Sequence, residues 1–237
     1  MTPRYQSRSL SAGPSWIWPW SLSLLSVVMV VVSTIYLAGR SDWFGDWLEL
    51  FSFRPRAIVD LLAASTNGES LWLLGGLFSA LFLHVDWIHL LGNLAYFWAF
   101  GVSVEKAVGH FRFLLLFLIL GGAANLYTAW HLYDAQQLPV IGASGGVSAI
   151  MGVYLGLFPR RRMGLWLPLG LYLQFARVPA LLVIGSWFTL QLLYSAFGPP
   201  AHEVAWAAHL AGFAVGLLAA VLLRLLPGTL CLEYRDE

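Results

Sequence analysis

Charged residues are sparse along this chain, and between them lie six long uncharged runs, at 9 to 39, 87 to 104, 113 to 133, 135 to 159, 178 to 202 and 204 to 223. Each run is close to the ~20 residues that a helix needs to cross about 30 Å of hydrocarbon, so the pattern predicts six membrane-spanning helices. Two shorter uncharged stretches, 70 to 85 and 163 to 176, contain Gly75, Gly76 and Pro168 and are too brief for safe crossings. They are expected to be interfacial or re-entrant. The first run follows Arg4 and Arg8 and ends in Leu37-Ala38-Gly39, loosely like a signal peptide. Its apolar core is long for one, and an uncleaved first helix is expected.

Composition reinforces the pattern. Of 237 residues, 59% are apolar and 11% charged, with twelve tryptophans and a mean hydropathy of +0.73. A soluble domain carries roughly 25% charge, so an ordinary water-soluble globule is excluded and an all-α membrane protein is the expected class. Lys plus Arg (13) nearly balance Asp plus Glu (12), which leaves no basic surplus for a phosphate backbone and argues against nucleic acid as a partner. The single cysteine, Cys231, cannot form an intramolecular disulfide and reads as a tail thiol.

Orientation follows from the basic residues. With a cytoplasmic N-terminus, the inner segments hold Arg4, Arg8, Lys106, Arg112, Arg160, Arg161, Arg162, Arg177, Arg224 and Arg235, and the outer ones only Arg40, Arg54 and Arg56. Both termini are therefore expected in the cytoplasm. A long first outer loop, from about Gly39 to Phe82, carries Trp43, Trp47, Trp72 and Arg54-Pro55-Arg56 and suits the membrane interface. No repeat or long linker divides the chain. One domain over 1–237 is expected, with a cytoplasmic N-terminal segment of about 1–18 and a core of about 70–225.

Polar groups inside lipid are costly and call for a reason. Three clusters stand out: His84-Val85-Asp86-Trp87-Ile88-His89 through Asn93, opening the second span; Gly142-Ala143-Ser144-Gly145-Gly146, opening the fourth; and Ala208-His209-Leu210-Ala211-Gly212 in the sixth. These three spans all run inward from the outer face, so Ser144, His209, His89 and Asn93 should share one depth, on the order of 10 Å below the outer surface. The residue types fit acyl transfer, with Ser144 as nucleophile and His209 as its base. Gly142, Gly145, Gly146 and Gly152 on one helix and Gly212 and Gly216 on the other would let two backbones meet. His89 and Asn93, at i and i+4, can each aim an N–H at one oxyanion, and the Ser144 amide at a helix start is a third donor. None of the six aspartates is placed as a triad acid, and Glu203 lies almost two turns from His209. A Ser-His dyad is predicted.

The run His84 to Asn93, then Phe100-Gly101 with Glu105 and Gly109, then Gly142-Ala143-Ser144-Gly145, then Ala208-His209 with Gly212, resembles the rhomboid intramembrane serine proteases in content, order and spacing. The resemblance implies a six-helix bundle around a water-filled cavity open to the outside. It implies Ser144 as nucleophile, His209 as base and His89 and Asn93 as oxyanion helpers, with His84 structural or water-retaining. No clear Trp-Arg pair stands in the first outer loop, where the sequence departs from the family. Transmembrane proteins are the implied substrates, membrane lipid the surroundings, and a bacterial-type plasma (inner) membrane the location. No cofactor is implied. His84, Asp86 and His89 lack the helical zinc signatures, which argues against a metal. Two other functions compete: a non-proteolytic client binder, which needs neither Ser144 nor His209, and a small transporter, for which paired carboxylates and an inverted repeat are missing. Glu105 and Arg112 read as a structural pair, Arg160 to Arg162 as topology determinants facing anionic lipid, and His110, His131 and His202 as span-end residues meeting water.

Overall fold

The computed structural model describes residues 18–39, 48, 50–63, 72–133, 139–169, 172–197, 203–226 and 228. Expectations for Arg4, Arg8, Arg40, Trp43, Trp47, His202, Cys231 and Arg235 lie outside the described residues. The elements are α1 (Trp20–Ala38), α2 (Pro55–Ala63), α3 (Trp72–Ser79) continued by a single turn of 3-10 helix (Ala80–Phe82), α4 (Trp87–Val108) and α5 (His110–His131). There follow α6 (Ser144–Leu157), β1 (Arg162–Leu169), β2 (Tyr172–Pro179), α7 (Ala180–Phe197) and α8 (Glu203–Leu225).

Each of the six uncharged runs thus contains one helix. Four of these meet the length and apolarity of a bilayer crossing: Trp20–Ala38, Trp87–Val108, His110–His131 and, within α8, Ala208–Leu225. Their outward side chains are apolar too, with Ile119 58% and Leu218 60% exposed, as a chain dissolved in lipid requires. The shorter helix α6 has 14 residues, about 21 Å at 1.5 Å each. Its run is long enough for more, but Gly142 adopts φ +129°, which no continuing helix can contain. The segment before Ser144 is instead extended: Val140 bridges to Phe53, and the Gly142 amide donates to the Ala80 carbonyl at 2.8 Å.

The two short stretches resolve differently. Residues 70 to 85 yield α3, whose Gly76 faces Ser52 so closely that a Cβ would lie 2.5 Å from its carbonyl oxygen. Residues 163 to 176 form an antiparallel hairpin, with Arg162 opposite Pro179 and Leu169 opposite Tyr172. Pro168 rules out a helix there but is tolerated in a strand with a free edge. Between α1 and α3, α2 is amphipathic. Ile58 and Leu61 are buried while Arg56 pairs with Asp60 at 3.7 Å on the exposed side.

Two features fix the bundle. Around the buried rings of Phe97, Phe100, Phe113, Phe117 and Tyr154, α4, α5 and α6 close a core, with centroids 4.9 Å apart for Phe97–Phe117 and 5.0 Å for Phe100–Tyr154. Polar latches tie α1 on. Glu105, read from the sequence as a partner of Arg112, accepts from the amides of Ser21 and Leu22 at 2.9 Å each and lies 2.5 Å from His110 Nδ1. Arg112 donates to the Val108 carbonyl, and Trp98 reaches Ser26 Oγ at 3.0 Å.

The closest approach is between α6 and α8. A Cβ on Gly212 would strike the Gly145 carbonyl, one on Gly216 the Ala149 carbonyl, and one on Gly152 the Phe213 carbonyl. Gly146 serves another contact, against the Phe117 ring of α5. Substituting Gly216 by Ala must push two backbones apart and is expected to cost about 1–3 kcal/mol, lowering the thermal midpoint in detergent by roughly 3–10 °C. Gly185→Ala, where a Cβ meets nothing within 4 Å, should leave the midpoint within about 2 °C. Equal midpoints for the two variants would show that the α6–α8 contact is not tight.

Candidate active site

The helix starts of α4 and α6 and the second turn of α8 converge on a cavity of about 170 Å³. Its walls include Ser144, His209, His89 and Asn93, the four residues singled out by the sequence, together with Tyr96 and Trp187. They reach this one cavity from unequal helix positions. Asn93 and His209 are each the seventh residue of their helices, whereas Ser144 is the first of α6. The short helix begins where the others are already two turns in, so the open amides of its first turn lie at the cavity instead of at the helix bundle's end.

Local structure explains each placement. Asp86 caps α4, its carboxylate accepting from the His89 amide at 2.7 Å, and this starts the helix that carries His89 and Asn93 one turn apart on the same side. Gly142 was expected to help helices pack, but its missing side chain makes room for a ring. A Cβ there would lie 2.8 Å from His89 Cε1 and 3.8 Å from Ser144 Oγ. That glycine therefore brings the imidazole of α4 beside the hydroxyl of α6. His209 sits below the indole of Trp187, with ring centroids 5.0 Å apart.

Hydrogen bonding sets these residues apart. Among the described residues, the buried side-chain nitrogens and oxygens without a partner are His84 Nε2, His89 Nδ1, Asn93 Nδ2 and both ring nitrogens of His209. Three of the four side chains line the cavity, and the fourth, His84, has its ring 5.1 Å from that of His89. A histidine kept only to tie helices together would bond a carbonyl; His209 does not. His84 is held from the far side, where Ser33 Oγ lies 2.9 Å from its Nδ1 and 3.0 Å from the Phe82 carbonyl. With its one hydroxyl proton given to that carbonyl, Ser33 can only accept from the ring at Nδ1.

The rhomboid domain family matches residues 69–225 of the sequence. This chain belongs to the rhomboid family. With four helices of crossing length and apolarity, it is an integral membrane protein. It is 26% identical over 224 residues to Rhomboid protease GlpG of Yersinia pestis (strain Pestoides F), a match covering 93% of this chain and 74% of that protein. GlpG of Yersinia pseudotuberculosis serotype O:3 (strain YPIII) matches with the same figures. Rhomboid protein 1, mitochondrial, of Saccharomyces cerevisiae is 28% identical over 144 residues, 58% of this chain and 38% of that protein. The matched span takes in every cavity residue named above.

Sequence reasoning overlooked several features of this rhomboid site. Trp187 and Gln191 bring α7 to the cavity, yet a tryptophan and a glutamine in an apolar run carry no motif. Ser148, one turn beyond Ser144, donates to the His209 carbonyl at 2.6 Å. Its signal was a polar residue on the glycine-bearing side of α6. Among the described residues, no three His, Cys, Asp or Glu side chains gather as a metal ion would need. Gly142→Ala is expected to lower the thermal midpoint by several degrees, about 1–3 kcal/mol, because it strains the backbone and displaces His89 together. Gly92→Ala, on the cavity wall with nothing within 4 Å of its Cβ, should fold as the wild type does. If Gly142→Ala melts with the wild type, the close approach of His89 is not required.

Proposed function

We propose that this rhomboid is an intramembrane serine endopeptidase that hydrolyses peptide bonds in or beside the transmembrane segments of other membrane proteins. Ser144 is the nucleophile and His209 the base. The observation that carries the reading is the gathering of unpartnered buried nitrogens from His89, Asn93 and His209 around one cavity that Ser144 also lines. The names of the relatives, Rhomboid protease GlpG above all, agree with it.

In this reading the Ser144 hydroxyl attacks the substrate carbonyl carbon as His209 takes its proton. Negative charge collects on the former carbonyl oxygen, where Asn93 Nδ2, a ring N–H of His89 and the first amides of α6 can donate to it. The positive end of the α6 dipole points the same way. Collapse of the tetrahedral intermediate breaks the C–N bond, and His209 returns its proton to the departing amine. Water then attacks the resulting ester, His209 accepts that water's proton, and Ser144 is regenerated with a free carboxylate released. The donors are already aimed and are not engaged by other protein groups, so little reorganisation accompanies charge development. A substrate helix must unwind locally to present its carbonyl, because helical carbonyls are bonded and shielded. Helix-breaking residues near the cut follow from that need.

The same reading treats 1–237 as one domain crossing a bacterial-type inner membrane six times, with both ends in the cytoplasm. The hairpin and the bases Arg160, Arg161, Arg162 and Arg177 then meet the inner leaflet, where anionic lipid suits them. The short α6 then needs to reach only from the depth of Ser144 to that face.

Two experiments test the assignment. Purified protein reconstituted with a model transmembrane substrate should cleave it, and Ser144→Ala and His209→Ala should each abolish cleavage; product formed by either variant at the wild-type rate would refute the dyad. Asn93→Ala should keep the wild-type thermal midpoint while slowing turnover by ~10- to 1,000-fold, the range for loss of one oxyanion donor. Unaltered turnover would return Asn93 to a packing role.

A further inference from the structure

His209 poses a question that the dyad leaves open, namely what holds the base in place without a carboxylate. Both its ring nitrogens are unbonded among the described residues, so no hydrogen bond steers the imidazole directly. The surface that α6 turns toward α8 is made of Gly145, Ala149, Gly152 and Gly156, which meet α8 at Gly212, Gly216, Phe213 and Ala220. Small residues permit close approach, but they bring no side-chain hydrogen bond of their own to the contact. Among the described residues, two hydrogen bonds cross this contact: Arg224 of α8 donates to the Leu157 carbonyl at 2.8 Å at the far end of α6, and Ser148 is the one that reaches α8 beside the site. It is fully buried, and its hydroxyl donates across the helix gap to the backbone carbonyl of His209 itself at 2.6 Å. That carbonyl already accepts the helical amide four residues on, so the second bond is not needed to satisfy it.

We infer that Ser148 is a positioning residue for the general base. It fixes the height of His209 on α8 relative to Ser144, one turn away on the helix to which Ser148 belongs. The nucleophile and the clamp are thus on one rigid turn of α6, and the base hangs from that turn by its main chain. In a triad a carboxylate orients the ring through Nδ1; here the orienting bond acts on the backbone and the ring is then set by packing against Trp187. A displacement of about 1 Å at a reacting pair can cost ~100-fold in rate, while one interhelical bond in a membrane contributes little to stability. Ser148 therefore matters more to turnover than to folding.

This inference rests on the Ser144–His209 reading, and the experiment separates the two. Wild type, Ser144→Ala, Ser148→Ala and Ser148→Thr are compared for cleavage kinetics, for the rate of Ser144 labelling by a fluorophosphonate, and for thermal midpoint. Labelling of the wild type but not of Ser144→Ala establishes the nucleophile independently of Ser148; equal labelling of both would overturn the dyad, and the positioning role with it. Ser148→Ala is expected to lose ~10- to 100-fold in kcat and in labelling rate, with KM within about twofold and the midpoint within about 4 °C. Ser148→Thr, which keeps the hydroxyl, should recover most of the loss; should its extra methyl lower the midpoint, Ser148→Cys, a weaker donor of similar size, should fall between wild type and Ala. Unchanged kcat in Ser148→Ala, or a loss that follows the midpoint in all variants, would overturn the positioning role.

Discussion

The structure depends on the contact between α6 and α8, where two backbones meet because neither helix has side chains in the way. Gly145, Gly152, Gly212 and Gly216 admit no Cβ without collision. This contact sets how far Ser144 lies from His209, since each is borne on one of the two helices within a turn or two of the crossing. In lipid no hydrophobic drive forces helices together, so close van der Waals packing must supply the cohesion. The same packing is rigid enough to hold two side chains in register.

Around that contact the molecule tolerates an arrangement that most interiors avoid. Among the described residues, buried nitrogens on His84, His89, Asn93 and His209 have no protein partner. The bundle around them is held by the aromatic core of α4, α5 and α6 and by the latches from Glu105 and Trp98 to α1. Of these, Asn93 and His89 offer donors that no other protein group engages, as a developing oxyanion requires. The shortness of α6 belongs to the same design. By starting at Ser144, after the turn that Gly142 permits, it delivers open amides to the cavity wall.

Much of this was legible in the sequence. The uncharged runs marked the helices because lipid leaves little tolerance for charge, and the exceptions inside them, Ser144, His89, Asn93 and His209, marked the site for the same reason. The i and i+4 spacing of His89 and Asn93 fixed their common face. Less was legible where a residue acts through shape. Gly142 reads like any packing glycine, and only its φ of +129° and the neighbouring His89 ring reveal its task. The hairpin at Arg162–Leu169 and Tyr172–Pro179 was hidden because its residues are apolar without clear alternation. Glu105 appeared to await a cation on α5, but the amides at the start of α1 reached it. Long-range partners of that kind have no signature in local sequence.

The central claim is that the cavity's unpartnered nitrogens are poised for a tetrahedral centre on Ser144. An experimental structure of the protein carrying a covalent phosphonate adduct tests it most directly, because the adduct's phosphoryl oxygen stands in for the oxyanion. The account predicts a bond from phosphorus to Ser144 Oγ, with that oxygen about 3 Å from Asn93 Nδ2 and a ring nitrogen of His89, and a ring nitrogen of His209 facing Oγ. A phosphoryl oxygen turned away from both donors, or an adduct on any other residue, would contradict it.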